Sequence, residues 1–409
     1  MYPADIDNGA GRSDVPPRSI SLNPRGDQLA CPLAKNIANT ALAFRGYNVA
    51  NLGRSAELLA HQEYRPIVVA ELERFGSLCS EYVKKPVDLL KRVQNGSDPT
   101  LHDYEEALSL VVALEVAQMR LLHEVHQVDT SRAKMAFGYS LGELVAVSFG
   151  GMFALDDMMR VPLAIAKDCV ALAANSTMGI LFSRGPTIDE NQVSRLCQQI
   201  TGEGQGTLGI SAILSPNTYL LIGQDKSVVR FGEVMHDLLP HRAHLRLNEH
   251  RWPPMHTPIV RQKYIPDRAS VMMESLPGGL TPACPPVFSL VTGRMSYNDH
   301  SARDVLRQWV DHPQRLWSAV DKTLSIGAET VIHVGPGPNV IPATFHRLCD
   351  NVLEQTAGNS LSSLGMRAVS GLARRPWLAA MLPANAALLR APFVKHVILE
   401  DWLLENLPT

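Results

Sequence analysis

Residues 135–149 constrain this chain more than any other stretch. Met135, Ala136 and Phe137 read as a short buried strand, Gly138-Tyr139-Ser140-Leu141-Gly142 as a sharp turn, and the residues from Leu144 to Phe149 as a helix. A Gly-X-Ser-X-Gly turn alone often marks an ordinary connector. Set between a strand and a helix, it projects the serine hydroxyl above a sheet edge, and small residues on either side permit the tight backbone. The helix N-terminus behind it offers free N–H groups and a positive dipole end, which favour an oxyanion. The pattern fits an α/β fold and makes Ser140 the candidate nucleophile of an acyl-transfer enzyme.

At 409 residues the chain is too long for one simple core, and two or three domains or subdomains are expected. A formal net charge of −2 leaves no basic excess for nucleic acid, and a short pair such as Arg374-Arg375 reads as solvated surface. The six cysteines, Cys31, Cys79, Cys169, Cys197, Cys284 and Cys349, form no Cys-x-x-Cys pair. That scatter suits reduced, isolated thiols in a cytoplasmic protein better than a disulfide framework or a zinc site. The first fourteen residues are polar and carry no signal-peptide core, and no apolar run is long enough to span a bilayer.

Residues 1–38, rich in Pro, Arg, Ser and Asn, are expected to be an irregular extension. Residues 40–44 are the first strand candidate and residues 55–60 a helix. Residues 103–126 carry apolar side chains on most faces at helical spacing, with Asp103 as the expected N-cap and Glu106 three residues on. Residues 176–248 differ in texture. Strands at 178–182, 208–214, 218–222 and 244–247 alternate with helices near 190–200 and 226–239. This β-α-β-β-α-β order is that of a ferredoxin-like unit inserted in a larger α/β body. A strand at 287–291, a helix over 302–326 and a strand at 330–334 continue that body. Beyond residue 350 the chain reads as a helical extension, with 397–406 helical and Trp402 anchoring it.

A nucleophilic serine needs a base. His256 lies among Pro253, Pro254 and Pro258, which would hold its imidazole in one place. The chain has fourteen histidines, and spacing does not prefer His256 over His244 or His250. His236, His241, His244, His250 and His256 fall close together, but no metal-ligand spacing on a helix appears, so no metal is expected.

Five separated segments, in order, resemble the malonyl-CoA:acyl carrier protein transacylase family, which includes the acyltransferase domains of polyketide synthases. Residues 41–48, Ala-Leu-Ala-Phe-Arg-Gly-Tyr-Asn, are similar to the family's Phe-Pro-Gly-Gln-Gly loop. Residues 138–143 are similar to Gly-His-Ser-Leu-Gly-Glu, and Met255-His256-Thr257-Pro258 to Phe-His-Ser-Pro. Residues 287–293 resemble the Ser-Asn-Val-Thr-Gly strand, and residues 332–337 the Glu-Val-Gly-Pro-Gly turn. The resemblance covers residues 38–350. It implies an α/β-hydrolase-like large subdomain in two parts, 39–175 and 249–350, around a ferredoxin-like small subdomain at 176–248, with 1–38 and 351–409 as extensions.

The resemblance also implies a ping-pong reaction. Ser140 takes an acyl group from acyl-CoA and passes it to the phosphopantetheine thiol of an acyl carrier protein, with His256 as base for both halves. The oxyanion is held by the backbone N–H groups of Tyr47 and Leu141. No cofactor is needed, since the coenzyme A thioester is substrate. Four departures stand out. Tyr47 replaces a Gln, Tyr139 a His and Leu290 an Asn. On the helix after the motif, Arg160 fits the first of two family arginines, but Ile165 stands where the second pairs with a malonyl carboxylate. Lys167 and Arg184 are the substitute cations to test. The acyl pocket is expected from Ile165, Tyr139 and Met255, and monoacyl groups are expected over malonyl. An acyl-thioester hydrolase of the same fold and a non-catalytic carrier-protein-binding homologue are the competing functions.

Overall fold

The computed structural model describes residues 32–357, 366, 369–370 and 384–408. Most of the N-terminal extension, with Cys31, and the pair Arg374-Arg375 lie outside the described residues.

A five-stranded parallel sheet organises the larger part. Its strands are β1 (Thr40–Phe44), β2 (Met135–Gly138), β7 (Val287–Phe288), β8 (Thr330–Val334) and β9 (Lys395–Ile398), in the order β7-β2-β1-β8-β9. Every residue of β1, β2 and β8 is buried, as expected of central strands covered on both faces. The strand period of two divides them between two cores. Leu42, Phe44, Ala136, Ile332 and Val334 face one cluster, built with α3 (Arg65–Val83), α5 (Tyr104–Arg120), α6 (Leu141–Phe149) and α7 (Leu155–Ala173). Ala41, Ala43, Met135, Phe137 and Val331 face the other, built with α12 (Leu316–Ser325) and α13 (Val340–Ala357). The remaining helices are α1 (Pro32–Asn36), α2 (Ser55–Ala60), α4 (Leu89–Gln94), α8 (Glu190–Gly202), α9 (Ser227–Val234), α10 (Ile265–Glu274), α11 (Ala302–Arg307), α14 (Ala384–Ala387) and α15 (Leu399–Glu405).

Residues 176–247 form a second, antiparallel sheet. Strands β3 (Ser176–Ser183), β4 (Leu208–Ser215), β5 (Thr218–Gln224) and β6 (Ala243–Leu247) lie in the order β4-β5-β3-β6. Helices α8 and α9 cover one face through Val193, Leu196, Ile200 and Phe231. Met178, Ile180, Leu220 and Ile222 belong to the other face and line a cleft against the large sheet.

Five expectations need correction. Residues 32–39 are helical, with α1 running into a 3₁₀ turn at Ile37–Asn39. Asp103 precedes α5 but its side chain caps nothing; it pairs with Arg92 at 3.3 Å. The strand at 287–291 stops after Phe288, because Ser289 turns to pair with Arg294. The helix over 302–326 is two helices, broken over residues 308–315 around Pro313, which lacks an N–H and disfavours helix in the residue before it. The C-terminal part is not only helical. Residues 395–398 add the fifth strand to the large sheet, parallel to β8, before α15 begins. Trp402 of α15 packs edge-on against His126, with ring centroids 4.9 Å apart.

Candidate active site

Ser140 follows β2 directly and precedes α6, with φ 55° and ψ −115°. This left-handed backbone is strained for a residue with a side chain. The turn holds because its glycines allow close contacts. A Cβ on Gly142 would lie 2.4 Å from the carbonyl oxygens of both Phe44 and Arg45, and one on Gly138 would lie 1.9 Å from that of Gly142. Two further contacts fix the elbow. The Ser140 N–H donates to Gln314 Oε1 at 3.0 Å, and Trp309 Nε1–H donates to the Ser140 carbonyl at 2.9 Å.

His256 meets the serine, with Nε2 2.7 Å from Ser140 Oγ. Its other nitrogen, Nδ1, is 2.7 Å from the Trp309 carbonyl oxygen. Since a carbonyl only accepts, Nδ1 carries the proton and Nε2 presents a lone pair to the hydroxyl. The ring is held from several sides. His256 N–H donates to Val310 O at 2.7 Å, the Thr257 hydroxyl donates to Pro254 O at 2.7 Å, and a 3₁₀ turn starts at Pro258. Burial lowers the imidazole's pKa to about 4, against opposing effects of the Trp309 carbonyl and Asp311, so the base is neutral near pH 7. His244 is exposed against Phe182, and His250 is exposed. Neither approaches Ser140 as His256 does.

Leu141 N–H, in the first turn of α6, and Tyr47 N–H have no hydrogen-bond acceptor among the described residues. Gly46 brings the Tyr47 loop against the elbow, since a Cβ there would lie 3.2 Å from Ser140 Cβ. The Tyr47 ring packs edge-on against Tyr104 at 4.8 Å and Trp252 at 6.0 Å.

Two cavities reach Ser140. The larger, ≈ 320 Å³, opens between the two sheets and is lined by Tyr47, Tyr139, Trp252, Met178, Ile180 and Arg347, among others. The smaller, ≈ 10 Å³, lies under the nucleophile among Tyr104, Leu141, Pro162, Ile165, Met255 and Trp309. Ile165 and Met255 therefore share one cavity. Tyr139 does not reach that cavity and meets Met255 only in the larger cleft, which Met255 also lines. Its N–H is tied to Phe44 O at 2.9 Å, and its ring packs into the α12–α13 core and faces the larger cleft. No cation lines the small cavity. Arg160 is half-exposed and lies 3.5 Å from Asp157, while Lys167 and Arg184 are exposed.

The sequence reading missed Gln314 and Trp309. Gln314 is 0% exposed, and its backbone also pairs with β4 of the smaller sheet, with N–H to Ser211 O and O from Ile213 N–H, both at 2.9 Å. The signal available for this segment was Pro313, which breaks the helix that would otherwise carry these residues away. Among the described residues no group of His, Cys, Asp and Glu could hold a metal ion, and no helix is long and apolar enough to cross a membrane.

No family model matches the chain. It is 24% identical over 308 residues to a polyketide synthase of Streptomyces halstedii, aligning 73% of its own length with 4% of that much longer protein. Its structure is similar to the malonyl-CoA:acyl carrier protein transacylase of Xanthomonas oryzae, with a TM-score of 0.60, 20% identity, and 75% and 90% of the two chains covered. A second similar structure is a malonyl-transacylase in complex with its type II polyketide synthase acyl carrier protein, with a TM-score of 0.58, 20% identity, and 75% and 91% covered. The chain thus resembles the malonyl-CoA:acyl carrier protein transacylases and has their α/β fold with a parallel sheet.

Proposed function

We propose that this protein is an acyltransferase that moves an acyl group from acyl-CoA, through an acyl-serine on Ser140, to the phosphopantetheine thiol of an acyl carrier protein. The observation that carries the reading is the 2.7 Å contact between Ser140 Oγ and His256 Nε2 at a strained strand–helix elbow. The likeness to transacylases, one bound to a carrier protein, supports the acceptor and a place in fatty acid or polyketide synthesis.

In the first half, His256 Nε2 takes the Ser140 proton as Oγ attacks the thioester carbonyl. The tetrahedral oxyanion sits between the Tyr47 and Leu141 N–H groups. It collapses by breaking the C–S bond, and the proton on Nε2 passes to the departing coenzyme A sulfur. In the second half the carrier thiol gives its proton to Nε2 and attacks the acyl-serine. Ser140 leaves and regains the proton. The His256–Trp309 contact keeps the same nitrogen available in both halves.

The ≈ 320 Å³ cleft suits a phosphopantetheine arm, and the ≈ 10 Å³ cavity with Ile165 and Met255 suits a short, uncharged acyl end. No resident cofactor is required by this scheme. We divide the chain into a large α/β-hydrolase-like part, 39–175 and 249–350, and a ferredoxin-like part, 176–248, whose inward face walls the cleft. The test is intact-mass analysis after exposure to acetyl-, malonyl- and hexanoyl-CoA, followed by a phosphopantetheinylated carrier protein. A mass gain on Ser140 that leaves with the carrier thiol is the expected result. A gain that water alone discharges favours the hydrolase reading. No gain with any thioester removes the enzyme reading.

A further inference from the structure

Arg45 stands where the resembled loop has proline, and it is 1% exposed. A fully buried guanidinium is costly unless every face is matched. Here the loop is wound around it. Nε–H donates to Gly46 O at 2.8 Å, Nη1–H to Pro336 O, and Nη2–H to Asn51 Oδ1 at 2.9 Å and Ala50 O at 3.3 Å. Asn51, itself 0% exposed, also accepts from Asn48 N–H at 3.1 Å and donates to Asn48 O at 2.6 Å. Asn48 Nδ2–H in turn reaches Pro338 O at 3.2 Å.

The contact with Gly46 O has a specific geometric result. Gly46 C=O and Tyr47 N–H are two ends of one peptide unit, and that unit is planar and trans. Drawing the carbonyl oxygen onto the guanidinium therefore turns the N–H to the opposite side, away from Arg45. Gly46 packs against the nucleophile elbow, so that side holds the reacting carbonyl. A full charge on the carbonyl oxygen also polarises the amide and strengthens its N–H as a donor.

We infer that Arg45 is a positioning residue for the oxyanion hole, which it builds by orienting the Gly46–Tyr47 peptide. The inference rests on the acyltransferase reading above. The carboxyls around it are themselves pushed up by burial, Glu115 well above its ordinary value and Glu400 in the same direction, each partly offset by the Arg45 guanidinium. Burial lowers its pKa to about 10, with Glu115, Glu400 and Asp98 opposing. Glu115 is 0% and Glu400 4% exposed. Glu400 comes from α15 and accepts from Gly337 N–H at 2.6 Å and Arg54 N–H at 2.9 Å. It thereby ties down the turn that supplies the Pro336 carbonyl.

The test compares Arg45→Lys, which keeps the charge but loses the fork, with Arg45→Met/Glu115→Gln, which removes the guanidinium and the buried carboxyl that faces it together. Active-site titration counts competent Ser140, and acylation by acetyl-CoA is then read per titrated site. We expect kcat per site to fall ~10-fold in Arg45→Lys and ~10²–10³-fold in the double variant, the range for losing an oxyanion donor. The KM for acetyl-CoA should stay within ~3-fold. A purely structural role would lower the melting temperature and the titrated fraction but not the rate per site. Wild-type rate per site in either folded variant overturns the inference, as does failure of both variants to fold. Absence of Ser140 acylation in the unsubstituted protein instead overturns the acyltransferase reading, and this inference with it.

Discussion

Malonyl-CoA should acylate Ser140 far more slowly than acetyl-CoA. An acetyl group carries one methyl beyond its carbonyl, and the ≈ 10 Å³ under the nucleophile is about the room of one small group. Malonyl adds a carboxylate to that methyl. Its charge would have to leave water for a cavity walled by Ile165, Met255, Leu141 and Pro162, with no cation among the lining residues. An unpaired ion in such surroundings costs several kcal/mol. Even about 3 kcal/mol raised against the transition state slows acylation by ~10²-fold. The assay is a competition between the two thioesters in equal amounts, read by intact mass at early times, when acetyl-serine should dominate. The same cavity can be enlarged. Ile165 is 1% exposed, so Ile165→Ala removes three buried carbons at a stability cost of about 2–5 kcal/mol. The room gained should admit propionyl and butyryl, each added CH₂ contributing up to about 0.8 kcal/mol, or ~4-fold in rate. Malonyl-serine forming as fast as acetyl-serine, or Ile165→Ala leaving the acyl range unchanged, would refute the reasoning.

Ser140→Ala should give no acyl adduct with any thioester, and adduct formation undiminished in that variant sinks the nucleophile assignment. His256→Ala should lose ~10²–10⁴-fold in turnover near pH 7, while His244→Ala stays within ~2-fold; equal damage from both would move the base elsewhere. Because burial holds His256 at about 4, kcat/KM should stay level as pH falls toward about 5, and an inflection near the ordinary histidine value would contradict the buried neutral base. Stability should behave differently. His256 and His396 are both lowered to about 4, chiefly by burial, and His333 is lowered well below its ordinary value by burial and by His396 and His346. Between the unfolded value, about 6.5, and about 4, the unfolded chain binds more protons, so stability falls with pH by up to about 3 kcal/mol each for His256 and His396. Thermal melts over that window should show the loss, with a shallower slope in His396→Phe; a flat profile argues against these buried neutral histidines.

How much was legible depended on whether the determinant was local. The Ser140 elbow was, because an apolar strand, two glycines and an apolar helix sit in fifteen consecutive residues. His256 was reached through its prolines and the resemblance, and spacing alone left His244 and His250 open. Trp309 was invisible as a base partner because it acts through its carbonyl, which every residue type possesses. Gln314 was invisible because its role exists only once the segment ahead of α12 meets the elbow. Tyr139 was grouped with Ile165 and Met255, but its ring meets only Met255, in the larger cleft, because adjacency to Ser140 says nothing about which side of the turn a ring takes. The strand Lys395–Ile398 was absorbed into a helix, since four residues carry too little periodicity to separate the two and its partner β8 is far away in sequence.

That strand gives the protein an order of assembly. A chain growing from its N-terminus presents β1, β2, β7 and β8, with both Ser140 and His256 already synthesised, while the outer edge of β8 is still bare. Only when residues 395–405 emerge does β9 cover that edge and α15 bring Glu400 onto Gly337 and Arg54. The reactive pair is thus made early and its supporting loops are secured late. From residue 256 until residues 395–405 emerge, the chain carries a nucleophile and a base without the finished frame that would make them an efficient catalyst.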